Sequence, residues 1–228
     1  MKALIDGDLL VYRVGFTTMD TDEGIAQWRM NTSIEKILQE LNTEDYTCYL
    51  TGQGRSNYRY DIYPEYKANR KAPKPTHYYF LREFLVEHHG AVVIEGQEAD
   101  DQMGIDQTNS PTETIIVSID KDLDQIPGWH YNFVKTLKYE ISSFEGMKFF
   151  YTQLLTGDRT DNIMGISGIG PVKAGKLLKD CTTEQEMYDI VNEQYQIRYA
   201  DNWFGKITCN GQLLKIRTRE GELWEPPS

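Results

Sequence analysis

Residues 114–119 (TIIVSI) read as a buried strand that ends directly in Asp120-Lys121-Asp122. The run is too short for a helix and rich in β-branched residues, so it suits a strand covered on both faces, as in a parallel sheet. The arrangement recurs. Ala3-Leu4-Ile5 leads into Asp6-Gly7-Asp8, residues 46–50 lead into Thr51-Gly52-Gln53-Gly54, and residues 91–94 lead into a stretch holding Glu98, Asp100 and Asp101. A parallel sheet lines the carboxyl ends of its strands along one rim, where functional groups collect. The expected fold is therefore α/β, with a mostly parallel sheet carrying an acidic rim. Each acid alone is equally consistent with a helix N-cap or a turn.

The chain has 228 residues, enough for one α/β core with a small helical appendage. No apolar run reaches the length of a membrane span, and no basic region followed by an apolar one opens the chain, which predicts a soluble, unexported protein. Cys48, Cys181 and Cys209 are scattered without paired spacing, so neither a zinc site nor a disulfide framework is indicated and a reducing cytoplasm fits. The net charge of −11 argues at first against a polyanionic partner. Charge is local, however. Arg55, Arg59, Lys67, Arg70, Lys71, Lys74 and Arg82 fall in one stretch against only Asp61 and Glu65.

Within that stretch Tyr58, Tyr60, Tyr63 and Tyr66 interleave with Arg59, Lys67 and Arg70. Aromatic rings on which bases stack, beside cations that track a backbone, are how single strands are held. Packing of the tyrosines on the core is the competing reading, and Tyr66, between Pro64 and Lys67, is the better stacking residue. Residues 13–31 carry no clear pattern and read as loop. Thr32 and Glu35 make a capping box ahead of Ile34, Ile37, Leu38 and Leu41. Pro73 and Pro75 precede a helix bearing Leu81, Phe84 and Leu85, residues 129–137 suggest a further strand, and Thr183 with Glu186 caps another helix. The tail from residue 201 reads as short strands with turns at Asn210-Gly211 and Glu220-Gly221.

Asp158 and Asp161 lie in a Gly-rich turn at 157–161, three apart, so both can aim oxygens at one hard cation. Gly165, Ile166, Gly168, Ile169 and Gly170 follow as a hairpin that opens a helix start with Lys173 and Lys176. Bare glycine amides and a helix N-terminus suit a phosphate, although an ordinary helix–turn–helix would show the same pattern. In all, eight carboxylates (Asp6, Glu98, Asp100, Asp101, Asp120, Asp122, Asp158 and Asp161) stand at strand ends or in turns. All-oxygen donors without His or Cys select Mg²⁺ or Mn²⁺. Two such ions about 4 Å apart are the device that hydrolyses phosphodiesters.

The ordered set DGD, PEYKANR, EADD, SIDKD, GDRTDN and GISGIGPVKAGKLL resembles the 5′-nuclease superfamily of flap endonucleases and 5′–3′ exonucleases over roughly residues 1–180. The likeness is greatest to phage exonucleases and to the nuclease domain of bacterial DNA polymerase I. It implies a Rossmann-like (PIN-like) nuclease core over residues 1–140 with a short helical arch near 64–85, then a helix–three-turn–helix DNA-binding module over 141–200. Residues 201–228 are left as a strand-rich extension.

The resemblance also implies roles. Asp6, Glu98, Asp100, Asp101 and Asp120 match ligands of a first metal, and Asp122, Asp158 and Asp161 complete a second, with Asp120 between them. Lys67 and Arg70 match a catalytic pair on the scissile phosphate, and Tyr66 an aromatic that stacks on the terminal base. Gly168, Gly170, Lys173 and Lys176 match contacts to duplex backbone, often around a K⁺ held by carbonyls such as those of Ile166 and Ile169. Many relatives carry an acid after the second strand, where this chain has Gly52, so the first metal has one carboxylate fewer. The expected activity is a Mg²⁺-dependent 5′-nuclease, active as a monomer on DNA with a free 5′ end, a flap or a nick, and on RNA–DNA hybrids as a further substrate. A role in replication or recombination in a bacterial cytoplasm would suit it. A PIN-type ribonuclease and a catalytically weakened DNA-binding module are the alternatives.

Overall fold

A six-stranded sheet with the order β3-β2-β1-β4-β5-β6 organises the computed structural model, which describes residues 1–227. Ser228, the last residue of the expected extension, lies outside the described residues. The strands are β1 (Lys2–Asp6), β2 (Tyr46–Thr51), β3 (Val92–Ile94), β4 (Thr114–Val117), β5 (Gly128–Asn132) and β6 (Leu137–Ile141). All pairings are parallel except β5 with β6. The region expected as one strand over 129–137 is thus two strands folded back on each other, turning at residues 133–136.

The strand period of two explains the burial of both sheet faces. Ala3, Ile5, Ile115 and Val117 point into a core shared with α1 (Gly7–Thr17), α2 (Glu23–Leu41) and α4 (Tyr78–His89). Leu4 and Ile116 point the other way, toward Ala99 and Met103 of α5 (Ala99–Asn109). The strand order reverses between β1 and β4, the switch point where ligand crevices open in such sheets. Asp6 ends β1 there, and Asp120 follows β4.

Residues 13–31 are largely helical rather than loop. Asp6 caps α1 by accepting from Leu9 N at 3.0 Å, and Asp22 caps α2 by accepting from Ile25 N at 2.9 Å. Thr32 and Glu35 fall inside α2, because its buried stripe already begins at Ala26 and Met30. Asp22 wins the cap. Between α3 (Tyr58–Ile62) and α4 no arch forms. Residues 64–69 turn and 70–75 run without regular structure, since Pro73 and Pro75 deny the chain helical backbone bonds, and α4 itself is packed in the core.

A third core holds the second half of the chain. α6 (Ser143–Thr156), capped by Ser142 and Glu145, leads to the short pair β7 (Gly157–Asp158) and β8 (Ile163–Met164), then to α7 (Pro171–Leu177) and α8 (Glu184–Tyr199). Thr183 and Glu186 form the expected capping box of α8. The tail is helical, not strand-rich: α9 (Trp203–Leu214) buries Ile207, Leu213 and Leu214 against this core, so an apolar face overrides the turn signal of Asn210-Gly211. Among the described residues, no helix is long and apolar enough to cross a membrane, and the three cysteines are free.

Candidate active site

Seven of the eight carboxylates named from sequence line one pocket of about 260 Å³ at the switch point: Asp6, Glu98, Asp100, Asp120, Asp122, Asp158 and Asp161. The eighth, Asp101, does not. It is fully buried, and its two oxygens accept four hydrogen bonds: from Arg59 Nη1 at 2.5 Å, Arg59 Nη2 at 2.9 Å, Glu98 N at 3.2 Å and Arg217 N at 3.1 Å. No lone pair faces the pocket. Asp100 and Asp101 are neighbours on α5, and about 100° of helical rotation sends one to the pocket and the other inward. Asp101 is a structural acid and the expectation of a metal ligand there is corrected.

The seven pocket acids divide by what neutralises them. Glu98 accepts from Lys67 Nζ at 2.5 Å, from the Tyr66 hydroxyl at 2.9 Å and from Asn57 Nδ2 at 3.3 Å, with Arg59 Nη1 3.8 Å away. Burial opposes its ionisation, yet Lys67 and Arg59 overcome that and hold its pKa down at about 2. Asp161 pairs with Arg70, and Lys67 stands 3.6 Å from it. Burial likewise works against the Lys67 ammonium, but Glu98 and Asp161 raise its pKa above the ordinary value.

The other acids lack such buried partners. Asp6 is pushed up to about 7 by burial, with Asp8 and Asp120 adding repulsion against the hydrogen bonds from Leu9 N and the Ser118 hydroxyl. Asp100 is raised well above its usual range by burial, Asp6 and Asp120. Asp122 rises to about 7 through burial, Asp120 and Asp158, against the exposed Lys121 at 3.2 Å and a hydrogen bond from Gln153 Nε2 at 2.9 Å. Ionised carboxylates packed this way in a low dielectric demand compensating positive charge. No group of three His, Cys, Asp or Glu among the described residues is already arranged to hold a metal ion. The donor set nonetheless fits a hard divalent cation: oxygen only, anionic, and without an internal cation at Asp6, Asp100 and Asp120.

Tyr66 is not available for stacking. It is 2% exposed within the third core, and its hydroxyl bridges Glu98 and Asp161, 2.8 Å from the latter. The other aromatic ring lining the pocket is Tyr12 on α1, half-buried, with Tyr78 at 5.2 Å and the half-exposed Phe16 at 6.1 Å. Tyr12 follows a stretch that reads as a strand ending in Asp6-Gly7-Asp8, and its place at the pocket depends on α1 starting at Gly7, which the sequence pattern did not signal. Sequence reading also passed over Asp8, which accepts from Arg82 Nη1 at 2.6 Å and Thr51 N at 2.8 Å, although the DGD motif displayed it. Arg59 and Arg82 are buried on acids, so the basic tract offers fewer free cations than its composition promised. A Cβ on Gly52 would meet the Glu95 carboxylate at 2.4 Å, so an acid from the next strand end occupies that space.

The hairpin lies along a second, larger pocket lined by residues 163–171 together with Arg159, Arg198 and Tyr199. Gly157 and Gly165 approach each other so closely that a Cβ on either would fall within 2.4 Å of backbone. Gly168 takes φ +82°, and Gly170 precedes Pro171 at the start of α7. The Ile166 and Ile169 side chains are buried, and the Ile166 carbonyl accepts from Ile169 N at 3.0 Å. Lys173 and Lys176 are exposed and make no ion pair among the described residues.

Residues 1–151 match the family model of the 5′-3′ exonuclease N-terminal, resolvase-like domain. The chain belongs to that family. A flap endonuclease Xni of Shewanella baltica is 30% identical over 193 residues, covering 77% of this chain and 73% of that protein. DNA polymerase I of Caldicellulosiruptor bescii is 30% identical over 217 residues, and that match covers 82% of this chain but 25% of the polymerase. The chain thus spans about a quarter of such polymerase relatives. Among solved structures, the T5 5′-exonuclease with bound zinc ions shares the fold, with a TM-score of 0.65 at 18% identity over 94% of this chain and 86% of that one.

Proposed function

We propose that this 5′-3′ exonuclease family member is a structure-specific 5′-nuclease that hydrolyses DNA phosphodiesters at a free 5′ end, flap or nick, using two Mg²⁺ or Mn²⁺ ions. The observation that carries this reading is the division of the pocket: Asp6, Asp100 and Asp120 without an internal cation and Asp122 with only the exposed Lys121, beside Lys67 and Arg70. Asp6, Asp100 and Asp120, with Glu98, would hold one cation, and Asp120, Asp122, Asp158 and Asp161 the other. Bound there, such cations would lower the pKa of a water and neutralise charge on the leaving oxygen.

The chain's own residues orient the substrate. Lys67 and Arg70 sit where a phosphate entering the pocket exchanges its charge for those of Glu98 and Asp161. Tyr12 offers the stacking face in the pocket. Lys173, Lys176 and the amides around Gly168 and Gly170 hold duplex backbone without reading sequence, and a K⁺ on the Ile166 and Ile169 carbonyls would reinforce that grip. The 141–200 segment then acts as the DNA-binding module, and the hairpin favours a nuclease of duplex ends over a PIN-type ribonuclease. The enzyme would work as a monomer in a bacterial cytoplasm.

The test is a gel with 5′- and 3′-labelled duplex, nicked and flapped DNA, each with Mg²⁺ or EDTA. Mg²⁺-dependent products released from the 5′ end are expected. Equal cleavage in EDTA, or products only from 3′ ends, would overturn the reading.

A further inference from the structure

Arg59 lines the pocket with its Nη1 3.8 Å from Glu98, and it touches parts of the chain far apart in sequence. Its guanidinium holds Asp101 through both oxygens, its Nε donates to the Leu213 carbonyl at 2.8 Å, and its Nη2 donates to the Lys215 carbonyl at 3.0 Å. Arg217 returns the contact by donating its backbone N–H to Asp101 and its Nη1 to Gln97 Oε1 at 2.8 Å. Arg59 is itself buried, and its pKa is raised well above the ordinary value because Asp101 outweighs the cost of burial. The planar fork of arginine meets this set of acceptors and lysine cannot.

Asp101 also accepts from Glu98 N and so fixes the first turn of α5. That turn carries Glu98 and Asp100 into the pocket, while Leu213, Leu214 and Ile216 line the same pocket from the opposite end of the chain. A merely structural pair could have been an apolar contact. This one spends a rigid, directional group on orienting the helix turn that bears the acids.

We propose that Arg59 is a positioning residue: through Asp101 it couples segment 213–217 to the orientation of Glu98 and Asp100, and so sets the pocket's affinity for a divalent cation. The proposal rests on the metal-dependent reading above. A buried ion pair replaced on both sides by apolar residues commonly leaves stability intact, whereas removing one partner does not. The decisive variant is therefore Arg59→Met/Asp101→Leu in the full chain, titrated with Mn²⁺ in the absence of DNA. Groups that orient metal ligands change affinity by roughly 10–100-fold when lost, and a loss of about tenfold or more is expected in a variant that unfolds at the parent's temperature. Parental Mn²⁺ affinity in that folded variant would overturn the proposal.

A second measurement needs no variant. Coupling is reciprocal, so Mn²⁺ bound to the parent should slow amide exchange in residues 213–217. Unchanged exchange there at saturating Mn²⁺ overturns the coupling while leaving the metal reading standing. A parent that binds no Mn²⁺ overturns both.

Discussion

Glu98 and Asp161 on one side of the pocket, and Asp6, Asp100 and Asp122 on the other, are the same chemistry in opposite electrostatic settings. The first two are met by Lys67, Arg59 and Arg70 from within the fold, and burial there is offset by charge pairing. The other three face further acids, Asp6 and Asp100 each meeting Asp120 and Asp122 meeting Asp120 and Asp158, and their pKa values rise. One wall is already a completed ion-pair network and stabilises the chain as it stands. The other is completed only by something from outside. The difference teaches where a cation and a phosphate would act: cations on the uncompensated floor, and the phosphate against the lysine and arginine that now hold the first wall.

Removing a floor acid tests that contrast most severely. Asp120→Ala should lower the cleavage rate by ~10³-fold or more, the upper scale for losing one preorganised electrostatic contact, while duplex binding is largely spared. Single-turnover rates beside a binding isotherm check this, and undiminished turnover would sink the assignment. Lys67→Ala strikes the other wall and should cost ~10²-fold in rate with a smaller change in affinity. Equal losses in the two would reduce Lys67 to a binding group.

Stability against pH should separate the walls without any substrate. Asp6 and Asp122 hold protons up to about 7 in the folded chain, whereas unfolded they release them near 3.8. Between those values the native state binds more protons than the unfolded one, so these groups make the metal-free protein less stable as pH rises. Glu98 runs the other way: its stabilisation is complete above 4.5 and is lost only as pH falls through about 2. Thermal unfolding in EDTA should therefore show a lower Tm at pH 7.5 than at pH 5, with Asp6→Asn raising Tm at the higher pH. A Tm that climbs over that span would contradict the division.

The smallest effects concern the two tyrosines. Tyr12→Ala should weaken binding of a 5′ single-stranded substrate by ~1–3 kcal/mol, the cost of one lost stacking face. Tyr66→Phe should leave that affinity unchanged and lower stability by ~1 kcal/mol, because Glu98 and Asp161 lose a shared donor. The reverse pattern would restore Tyr66 as the stacking residue.

The acidic rim was legible because its signals are local. A short apolar run closed by an acid or a glycine turn predicts a strand end whatever the rest of the chain does, and β1, β2, β3 and β4 all appeared where such runs stand. Asp6, Asp100, Asp120 and Asp122, which stand at or just after such ends, line one pocket. The tail was misread for the opposite reason. Asn210-Gly211 is a strong turn signal on its own, but Ile207, Leu213 and Leu214 find an apolar core that makes α9 the better solution. The cap at Thr32 failed in the same way, overruled by the longer apolar stripe of α2.

By itself the sequence determined the parallel strands β1 to β4, their acidic rim and the glycine hairpin, since these follow from short apolar runs, strand-end acids and residues that alone tolerate close backbone approach. Only the tertiary structure decided which acids remain for a cation. Asp100 and Asp101 differ by one step of a helix, and the arginine that claims Asp101 is itself anchored by a carbonyl 154 residues away. Charge neutralisation depends on distance in space, and no local pattern in the chain encodes that.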